Sequence, residues 1–552
     1  MSIYPYLDVY VILYSAYIQV SRKFREMNRK KIISSFSMKL YLFLFIIGLN
    51  TINVFSQAPN IQWQKAFGGT SNEYARSIIQ TTDDGYIVSG YTYSNNGDVS
   101  GNHGDADYWL VKINSTGTIE WQKTFGGSGE DWARRIRKTT DGGFIVIGRT
   151  NSNNGDVTGF HGGSWDCWII KLDSAGNIIW QKTLGGSSVD QGYDIQQTSD
   201  NGYIVTCGSN SNDGDITGNH GGSDFWVVKL NATGSIIWQK SLGGTGDDLG
   251  GSVQQTFDGG YIVGGNSNST NGDVTGNHGN DDFWVVKLDS EGNISWQKSL
   301  GGSGFDGFQC IKQAIDGGYL VSGYTFSNNG DVTGNHGNYD VWVIKLNSLG
   351  NITWQKTLGG TNSDQAKYIQ QTIDEGIIIV GNTKSNNGDV SNNQGDWDYW
   401  VVKLDGMGTL LWQKTLGGIS FDEADYIEQT TEGGYIIAGR TNSNNGDVTG
   451  NHGNTDFWVV KLASDSLSNS EFEITNTILY PNPSSKFISL QYSTNPETSF
   501  YFKIIDLTGK IIKSSFSKFN DQINIESLTI GNYIIQIETE NGKTETKKFI
   551  KN

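Results

Sequence analysis

The tripeptide Trp-Gln-Lys returns every 58 or 59 residues along this chain. It begins at seven tryptophans: Trp63, Trp121, Trp180, Trp238, Trp296, Trp354 and Trp412. Self-similarity at a fixed period of this size is typical of a repeat architecture, in which one unit is copied because a single copy cannot bury its own apolar face. We therefore expect the chain to consist of stacked copies of one small unit.

Each repeat contains four short apolar runs. In the repeat from Asp190 to Leu242 the runs cover residues 193–198, 202–208, 225–230 and 236–240. They are rich in aromatic and β-branched residues, are bounded by Gly, Asn, Asp or Ser, and are too short for helices. Four antiparallel strands are predicted, with a loop of sixteen residues between the second and the third.

Units of four strands repeated at this spacing favour an all-β, seven-bladed β-propeller over residues 57–463. The last repeat ends after its third strand, residues 457–462, and lacks the Trp-Gln-Lys strand that should follow. Residues 61–65 are such a strand with no repeat before them. We therefore expect the N-terminal strand to complete the seventh blade, which removes both exposed sheet edges.

A second tryptophan series occupies the predicted third strands. Its members are Trp109, Trp168, Trp226, Trp284, Trp342, Trp400 and Trp458. A platform for stacking sugars is one interpretation, and packing between neighbouring blades is the other. Occurrence in every repeat favours packing, since large aromatic side chains supply much of the contact area between stacked sheets.

The first 56 residues have the features of a secretory signal. A basic stretch at residues 29–31 precedes the apolar run 39–48, which is too short to span a membrane, and a small residue stands at Ser56. We expect the mature protein to begin at Gln57 without a transmembrane segment. Translation is expected to start at Met27 or Met38, because a signal normally lies at the N-terminus.

The net charge of −17 is concentrated in the repeats. Residues 1–56 carry seven basic and two acidic side chains and residues 471–552 carry nine of each, so the part between them holds −22. This charge disfavours nucleic acid, anionic membranes and acidic sugars as partners. The cysteines Cys167, Cys207 and Cys310 fall in different blades and are expected to be buried thiols rather than a disulfide framework.

Residues 464–477 are polar and are predicted to form a linker. The short alternating strands predicted beyond them, over residues 478–552, favour a small C-terminal β-sandwich. This tail carries Tyr-Pro-Asn-Pro at 480–483, Asp-Leu-Thr-Gly-Lys at 506–510 and Leu-Thr-Ile-Gly-Asn-Tyr at 528–533. In these motifs it resembles the C-terminal sorting domain of the type IX secretion system. The resemblance implies the type IX machinery as a partner and a protein that is secreted or held on the surface of a Gram-negative bacterium.

The repeats resemble a bacterial family known as seven-bladed propeller or SBBP repeats, through units such as residues 124–131 followed by 141–148. That resemblance implies the propeller fold and little about function, because this scaffold hosts enzymes, lectins and docking platforms alike.

The long loops between second and third strands hold all six histidines and one recurring aspartate. A shared zinc site is implausible, because neighbouring sheets lie about 10 Å apart and the ligands of one zinc must be much closer together. Three interpretations of the recurring aspartate are open. It could bind calcium in each loop, it could bond the loop's own backbone, or it could contact a ligand directly. The candidate calcium ligands are Asp98, Asp156, Asp215, Asp273, Asp331, Asp389 and Asp447.

Signatures of catalysis such as Gly-x-Ser-x-Gly, His-Glu-x-x-His and Cys-x-x-Cys are missing from the sequence. A single site should use residues that depart from the repeat. The candidate ligand-binding residues are Trp132, Arg134, Arg135 and Trp165 in the second blade and Trp397 in the sixth. Drift among repeats is the alternative explanation. We expect a binding or adhesion protein for a glycan or protein ligand, with a polysaccharide hydrolase or lyase as the alternative.

Overall fold

The structure is a computed structural model that describes residues 57–465, 478–491, 499–506, 510–518, 521–539 and 544–552. The predicted signal, residues 1–56, and most of the predicted linker lie outside these ranges. The chain divides into two compact units between Leu467 and Ser468. The described residues form strands and no helix, which confirms the all-β prediction.

The larger unit contains seven four-stranded antiparallel sheets. Sheets 1 to 3 consist of β2 (Glu73–Gln80), β3 (Tyr86–Thr92), β4 (Asp107–Ile113) and β5 (Ile119–Phe125); β6 (Asp131–Lys138), β7 (Phe144–Thr150), β8 (Asp166–Leu172) and β9 (Ile178–Leu184); and β10 (Asp190–Gln197), β11 (Tyr203–Ser209), β12 (Asp224–Leu230) and β13 (Ile236–Leu242). Sheets 4 and 5 consist of β14 (Asp248–Gln255), β15 (Tyr261–Ser267), β16 (Asp282–Leu288) and β17 (Ile294–Leu300); and β18 (Asp306–Gln313), β19 (Tyr319–Thr325), β20 (Asp340–Leu346) and β21 (Ile352–Leu358).

Sheet 6 consists of β22 (Asp364–Gln371), β23 (Ile377–Thr383), β24 (Asp398–Leu404) and β25 (Leu410–Leu416). Sheet 7 consists of β26 (Asp422–Gln429), β27 (Tyr435–Thr441), β28 (Asp456–Leu462) and the N-terminal strand β1 (Ile61–Phe67). As expected, β1 pairs with β28, and Trp63 lies opposite Lys461. The first strand of each sheet contacts the first strand of the next, and β26 contacts β2. Repeated four-stranded sheets of this kind are consistent with a propeller.

The core lies between neighbouring sheets. Third strands are buried along their whole length, whereas fourth strands are only partly buried, and one apolar cluster joins side chains of sheets 2 and 3. The second tryptophan series is buried at these contacts. Trp168 packs on Tyr108 of sheet 1 with ring centroids 4.5 Å apart, which confirms the packing interpretation.

The Trp-Gln-Lys tripeptide has a structural role at two of its positions. The side-chain oxygen of Gln122 accepts a hydrogen bond of 2.9 Å from the indole nitrogen of Trp109, and the same bond recurs in the other sheets. The indole of Trp121 covers the turn of the next sheet so closely that a Cβ on Gly176 would lie 2.8 Å from it. The repeated tripeptide therefore fastens each fourth strand to its own sheet and to the next.

Seven buried lysines were not anticipated from the sequence. Each third strand carries one, and each pairs with an acidic residue in the hairpin between the first two strands. Lys171 and Asp141 are 2.8 Å apart, and Lys461 and Glu432 are 2.7 Å apart. Burial opposes charge on Asp141, but hydrogen bonds from Lys171 and Thr139 outweigh it and lower the carboxyl pKa to about 2.

The smaller unit contains two antiparallel sheets. One is formed by β29 (Ile478–Tyr480), β30 (Phe487–Gln491) and β33 (Ile523–Asn524), and the other by β32 (Ile511–Lys518), β31 (Ser499–Asp506), β34 (Gly531–Thr539) and β35 (Thr544–Lys551). Side chains of both sheets, such as Ile488 and Phe502, share one apolar core. The Tyr-Pro-Asn-Pro motif contacts the last strand of this unit. The side chain of Asn482 donates a hydrogen bond of 3.1 Å to the carbonyl of Lys548 and accepts one of 2.9 Å from the N–H of Ile550.

Candidate functional site

A β-bulge interrupts the first strand of every sheet in the larger unit. A bulge adds one residue to a strand and changes the direction of its side chain. We call the seven residues at these positions the bulge ring: Arg76, Arg134, Tyr193, Gly251, Gln309, Lys367 and Asp425. The sequence around them repeats closely, but the seven residues all differ in type except for the two arginines.

Two pairs of neighbouring bulge-ring members touch each other. Arg76 of sheet 1 donates a hydrogen bond of 2.9 Å to Asp425 of sheet 7. Arg134 of sheet 2 lies 4.3 Å from the ring centroid of Tyr193 of sheet 3. The bulges therefore bring residues from separate repeats together at one place.

Further along the first strands, side chains of several sheets meet in a central cluster of Arg135, Arg137, Asp194, Tyr368 and Tyr426. Arg137 donates to the hydroxyl of Tyr426 at 2.7 Å and to Asp194 at 3.0 Å. Arg135 lies over the rings of Tyr368 and Tyr426, 5.3 and 5.2 Å from their centroids. Burial alone would raise the pKa of Asp194, but the charge of Arg137 outweighs burial. The pKa of this carboxyl group is therefore below its ordinary value. The predicted site residue Arg135 thus belongs to this cluster.

A cavity of about 100 Å³ is lined by residues of sheets 1, 2 and 3. Its polar and aromatic lining residues are Arg76, Tyr91, Trp132, Arg134, Arg149 and Gln191. The rings of Tyr91 and Trp132 stack with centroids 4.7 Å apart and planes 6° apart. Trp165 packs against Trp132 at 5.4 Å. Of the five predicted ligand-binding residues, the structure brings Trp132 and Arg134 to this cavity and places Trp165 beside it.

Arg149 is the residue of this cavity that sequence reasoning missed. Its guanidinium lies 3.9 Å from the ring centroid of Trp132 and 4.0 Å from that of Trp165. One of its terminal nitrogens donates to Gln191 at 2.6 Å, while its buried Nε has no hydrogen-bond partner among the described residues. The signal available in the sequence was that only sheets 2 and 7 have arginine at this strand position, as Arg149 and Arg440.

The cavity is electrostatically unusual for an acidic protein. Within the part of the chain that the structure describes, no carboxylate lies within 4 Å of Arg134 or Arg149. Solvent reaches Arg134, but protein surrounds it closely enough that burial lowers its pKa to about 10. Burial also lowers the pKa of Arg149. In both cases burial outweighs the nearby acidic residues, which are Asp425 for Arg134 and Glu130 for Arg149.

A second aromatic group lies on sheet 5. Tyr324 and Tyr339 approach with ring centroids 5.4 Å apart, and Phe305 and Phe326 pack on Tyr339. Trp397, the predicted site residue of sheet 6, is accompanied by Lys384, whose ammonium lies 5.2 Å from its ring centroid. Trp397 and Tyr339 stand at the same repeat position as Trp165, directly before the third strand.

The candidate calcium ligands bond the backbone. The carboxylate of Asp331 accepts the backbone N–H of Gly301 at 3.3 Å, and its own N–H donates to the carbonyl of Gly301 at 2.9 Å. The same pair of bonds recurs in every sheet. Among the described residues no three His, Cys, Asp or Glu side chains are grouped so as to hold a metal. Calcium stays a prediction, which a calcium-dependent, chelator-reversible rise in melting temperature would support.

The loop histidines pair with buried aspartates of their own sheet. The Nδ1 atom of His336 lies 2.6 Å from Asp340, whose carboxylate also accepts the backbone N–H of His336. Five other sheets repeat this pair, and in sheet 6 Gln394 replaces the histidine. Repetition assigns these pairs to the scaffold rather than to one site. The three cysteines are buried free thiols, as expected.

Residues 478–552 match the family described as "Secretion system C-terminal sorting domain". The chain is therefore cargo that carries a sorting domain, and such a domain indicates export by the type IX system to the exterior or the cell surface. The described residues include no helix long and apolar enough to cross a membrane. No curated protein was found to match the sequence.

Several solved structures resemble the chain at low identity. The extracellular domain of a putative hybrid two-component system from B. thetaiotaomicron is 12% identical, with a TM-score of 0.38, over 90% of this chain and 59% of that one. Puromycin hydrolase is 11% identical, with a TM-score of 0.41, over 79% and 62%. Rhamnogalacturonan lyase is 11% identical, with a TM-score of 0.30, over 89% and 91%. The chain spans about three fifths of the length of the first two.

Proposed function

We propose that this protein is a secreted or cell-surface binding protein whose ligand site is the cavity lined by sheets 1 to 3. The observation that carries the proposal is the pair Arg134 and Arg149, which line this cavity without a carboxylate partner among the described residues. Arginine and large aromatic residues dominate the energetics of binding sites. Arg134 is exposed to solvent, whereas Arg149 is partly buried between two indole rings and bonds Gln191, and a scaffold role alone gives no reason for this second cation.

The proposal includes a closed seven-bladed propeller over residues 57–463, with sheet 7 completed by β1. The pairing of β1 with β28 and the contact of β26 with β2 support it. It also includes a signal in residues 1–56, a linker at 464–477 and the sorting domain at 478–552. In such a ring, residues that differ between repeats would share one central surface, and the bulge ring has this property.

The differences between repeats support binding rather than catalysis. Buried acids such as Asp131 recur in every sheet, whereas the cavity lining departs from the repeat at Trp132, Arg134 and Arg149 and includes no carboxylate among the described residues. Asp425 also departs from the repeat, but it is paired with Arg76. A polysaccharide hydrolase would need two carboxylates specific to one site. Binding of a glycan or protein ligand is therefore the function that we place first, ahead of a hydrolase or lyase.

The test is a glycan array probed with the full mature chain, run beside an activity screen on the same polysaccharides. We expect the protein to bind a glycan on the array without degrading it. Trp132→Ala should abolish this binding. Phe257→Ala is the matched control, because Phe257 is an aromatic residue with 73% exposure in the hairpin between the first two strands of sheet 4. Turnover without retained binding would favour the enzyme, and binding that Phe257→Ala removes would place the site elsewhere.

A further inference from the structure

Two strand positions carry arginine in two sheets each, and they provide an internal comparison. At the bulge, arginine occurs as Arg76 in sheet 1 and Arg134 in sheet 2. Arg76 forms an ion pair of 2.9 Å with Asp425. Although burial opposes the charge of Arg76, Asp425 raises its pKa above the ordinary value. Arg134, at the same position, has Tyr193 as its neighbour and no carboxylate within 4 Å among the described residues.

The second position lies in the second strand of each sheet. It is opposite the residue that comes directly after the buried acid at the start of the first strand, such as Asp131 in sheet 2. Arg440 of sheet 7 lies opposite Glu423 and forms an ion pair with it. Arg149 of sheet 2 lies opposite Trp132 and stacks on it. At both positions, therefore, the arginine outside sheet 2 has an internal counter-ion, and the arginine of sheet 2 has an aromatic ring.

The chemistry of the cavity lining indicates what can supply the counter-ion. Arg134 and Arg149 both line the cavity beside the ring of Trp132, and a carboxylate can bind a guanidinium group through two parallel hydrogen bonds. Arg149 is held between two indole rings, so its planar group is oriented in advance for a carboxylate.

We propose that this cavity binds the carboxylate of an acidic sugar within a mostly neutral glycan, with Arg134 and Arg149 as its counter-ions. The proposal rests on the binding function proposed above and names the ligand class. It also qualifies the expectation from net charge, because the local charge of the cavity is positive. A polyanion such as an acidic peptide would meet repulsion from the rest of a unit with a charge of −22, whereas isolated carboxylates separated by neutral sugars would not.

The experiment is isothermal titration of the full mature chain with three probes. They are a xylo-oligosaccharide that bears one glucuronate, the same oligosaccharide without it, and hexaglutamate. We expect the glucuronate to strengthen binding about ten- to a hundredfold, the range of one or two hydrogen bonds to a charged group. Arg149→Gln and Arg134→Gln should each remove most of that advantage, whereas the matched control Arg440→Gln should keep it.

Each outcome decides the proposal. Equal affinity for the two oligosaccharides would overturn the carboxylate assignment and leave the binding function standing. Hexaglutamate bound as tightly as the acidic sugar would overturn the sugar assignment in favour of a peptide. Binding of none of the three would overturn the proposal, and the glycan array then tests the binding function separately. If Arg149→Gln does not fold, Arg134→Gln tests the same point at a solvent-exposed side chain.

Discussion

At the scale of single residues, buried carboxyl groups meet at the junction between neighbouring sheets. At one junction Asp398 of sheet 6 and Asp422 of sheet 7 flank Gly417 so closely that a Cβ there would lie within 3 Å of both carboxylates. The other junctions repeat this pair. Six of the seven third-strand aspartates also contact a histidine, but among the described residues Asp398 has only the backbone N–H of Gln394 as a hydrogen-bond donor. Sheet 6 is therefore the junction where charge is least compensated.

Asp398→Asn should stabilise the protein at high pH. Burial, and secondarily the charges of Asp422 and Asp447, raise the pKa of Asp398 to about 7. Since this pKa is higher in the folded than in the unfolded chain, the stability that Asp398 contributes is complete below about pH 4 and is lost as the pH rises towards 7. Asparagine keeps an acceptor for Gln394 and does not ionise. The free energy of unfolding of Asp398→Asn should exceed that of the wild type on the order of 1 to 4 kcal/mol at pH 8, and not at pH 4.

The matched control is Asp340→Asn in sheet 5. There the imidazole of His336 compensates the carboxylate, so that substitution should give a smaller gain at pH 8. Thermal melts from pH 4 to pH 8 measure both variants. Equal gains at the two positions would show that the missing histidine is not what distinguishes sheet 6.

The sequence allowed part of the candidate site to be predicted. Trp132 and Arg134 stand out because they depart from a nearly constant repeat, and both line the cavity. Arg135 was grouped with them, but it lies in the central cluster instead. The bulge between Ala133 and Arg135 breaks the alternation of side chains along the strand, so facing directions could not be read from sequence spacing.

At the scale of strands, the bulges depend on glycine in the neighbouring strand. A Cβ on Gly148 would lie 1.9 Å from the carbonyl oxygen of Trp132 and 2.7 Å from the hydroxyl of Tyr108. Glycine also stands opposite the bulge in sheets 1 and 4 to 7. In sheet 3 Cys207 takes this place, and its partner in the first strand is Gly192. One strand or the other therefore supplies a glycine in every sheet.

Gly148→Ala should distort the bulge that positions Arg134. We expect the free energy of unfolding to fall by about 2 kcal/mol or more, the usual range for overpacking in a buried site. The double variant Ala133→Gly with Gly148→Ala copies the arrangement of sheet 3 and should recover part of the loss. Urea unfolding measures all three proteins. An unchanged midpoint for Gly148→Ala would refute the steric argument.

The strand and loop pattern itself was predictable from one repeat, because turn residues and apolar runs are local features. The ion pairs that connect the third strand of each sheet to its first hairpin were not predictable in this way. The seven lysines such as Lys171 are charged residues within apolar strands, and only the folded chain shows that a hairpin carboxylate such as Asp141 lies within 3 Å. Contacts between distant parts of a sequence leave no signal in the spacing of either partner.

At the scale of the whole molecule, the residues on both sides of the repeats, Asn60 before them and Ala463 to Asp465 after them, form hydrogen bonds at or beside sheet 7. Ala463 donates its N–H to the carbonyl of Asn60 at 2.9 Å. Asp465 accepts bonds from the indole of Trp412 at 3.0 Å and from the hydroxyl of Tyr435 at 2.6 Å. In the preceding sheets a turn of the next sheet covers the corresponding tryptophan, as Gly176 does for Trp121. Asp465 takes the place of that turn where the repeats end.

Deletion of residues 57–66 should expose the edge of β28. The chain would lose the partly buried Trp63 and the backbone pairing of β1, so we expect a loss of about 3 kcal/mol or more in the free energy of unfolding. A synthetic peptide of residues 57–67 added to the truncated protein should restore part of the melting temperature by pairing with β28. Melting that is unaffected by the deletion would contradict closure by this strand.

Deletion of residues 478–552 should separate export from folding. These residues match a secretion-system sorting domain, and the chain up to Leu467 forms a compact unit of its own. The truncated protein should therefore keep its core and lose its sorting signal. We expect it to remain in the periplasm with the melting transition of the larger unit unchanged, while the full chain reaches the surface or the medium. Cell fractionation followed by thermal melting of the recovered protein measures both properties. Asn482→Ala is the finer variant, because Asn482 bonds the backbone of Lys548 and Ile550 and so holds the first motif of the domain against its last strand. A truncated protein found at the cell surface would show that another part of the chain directs export.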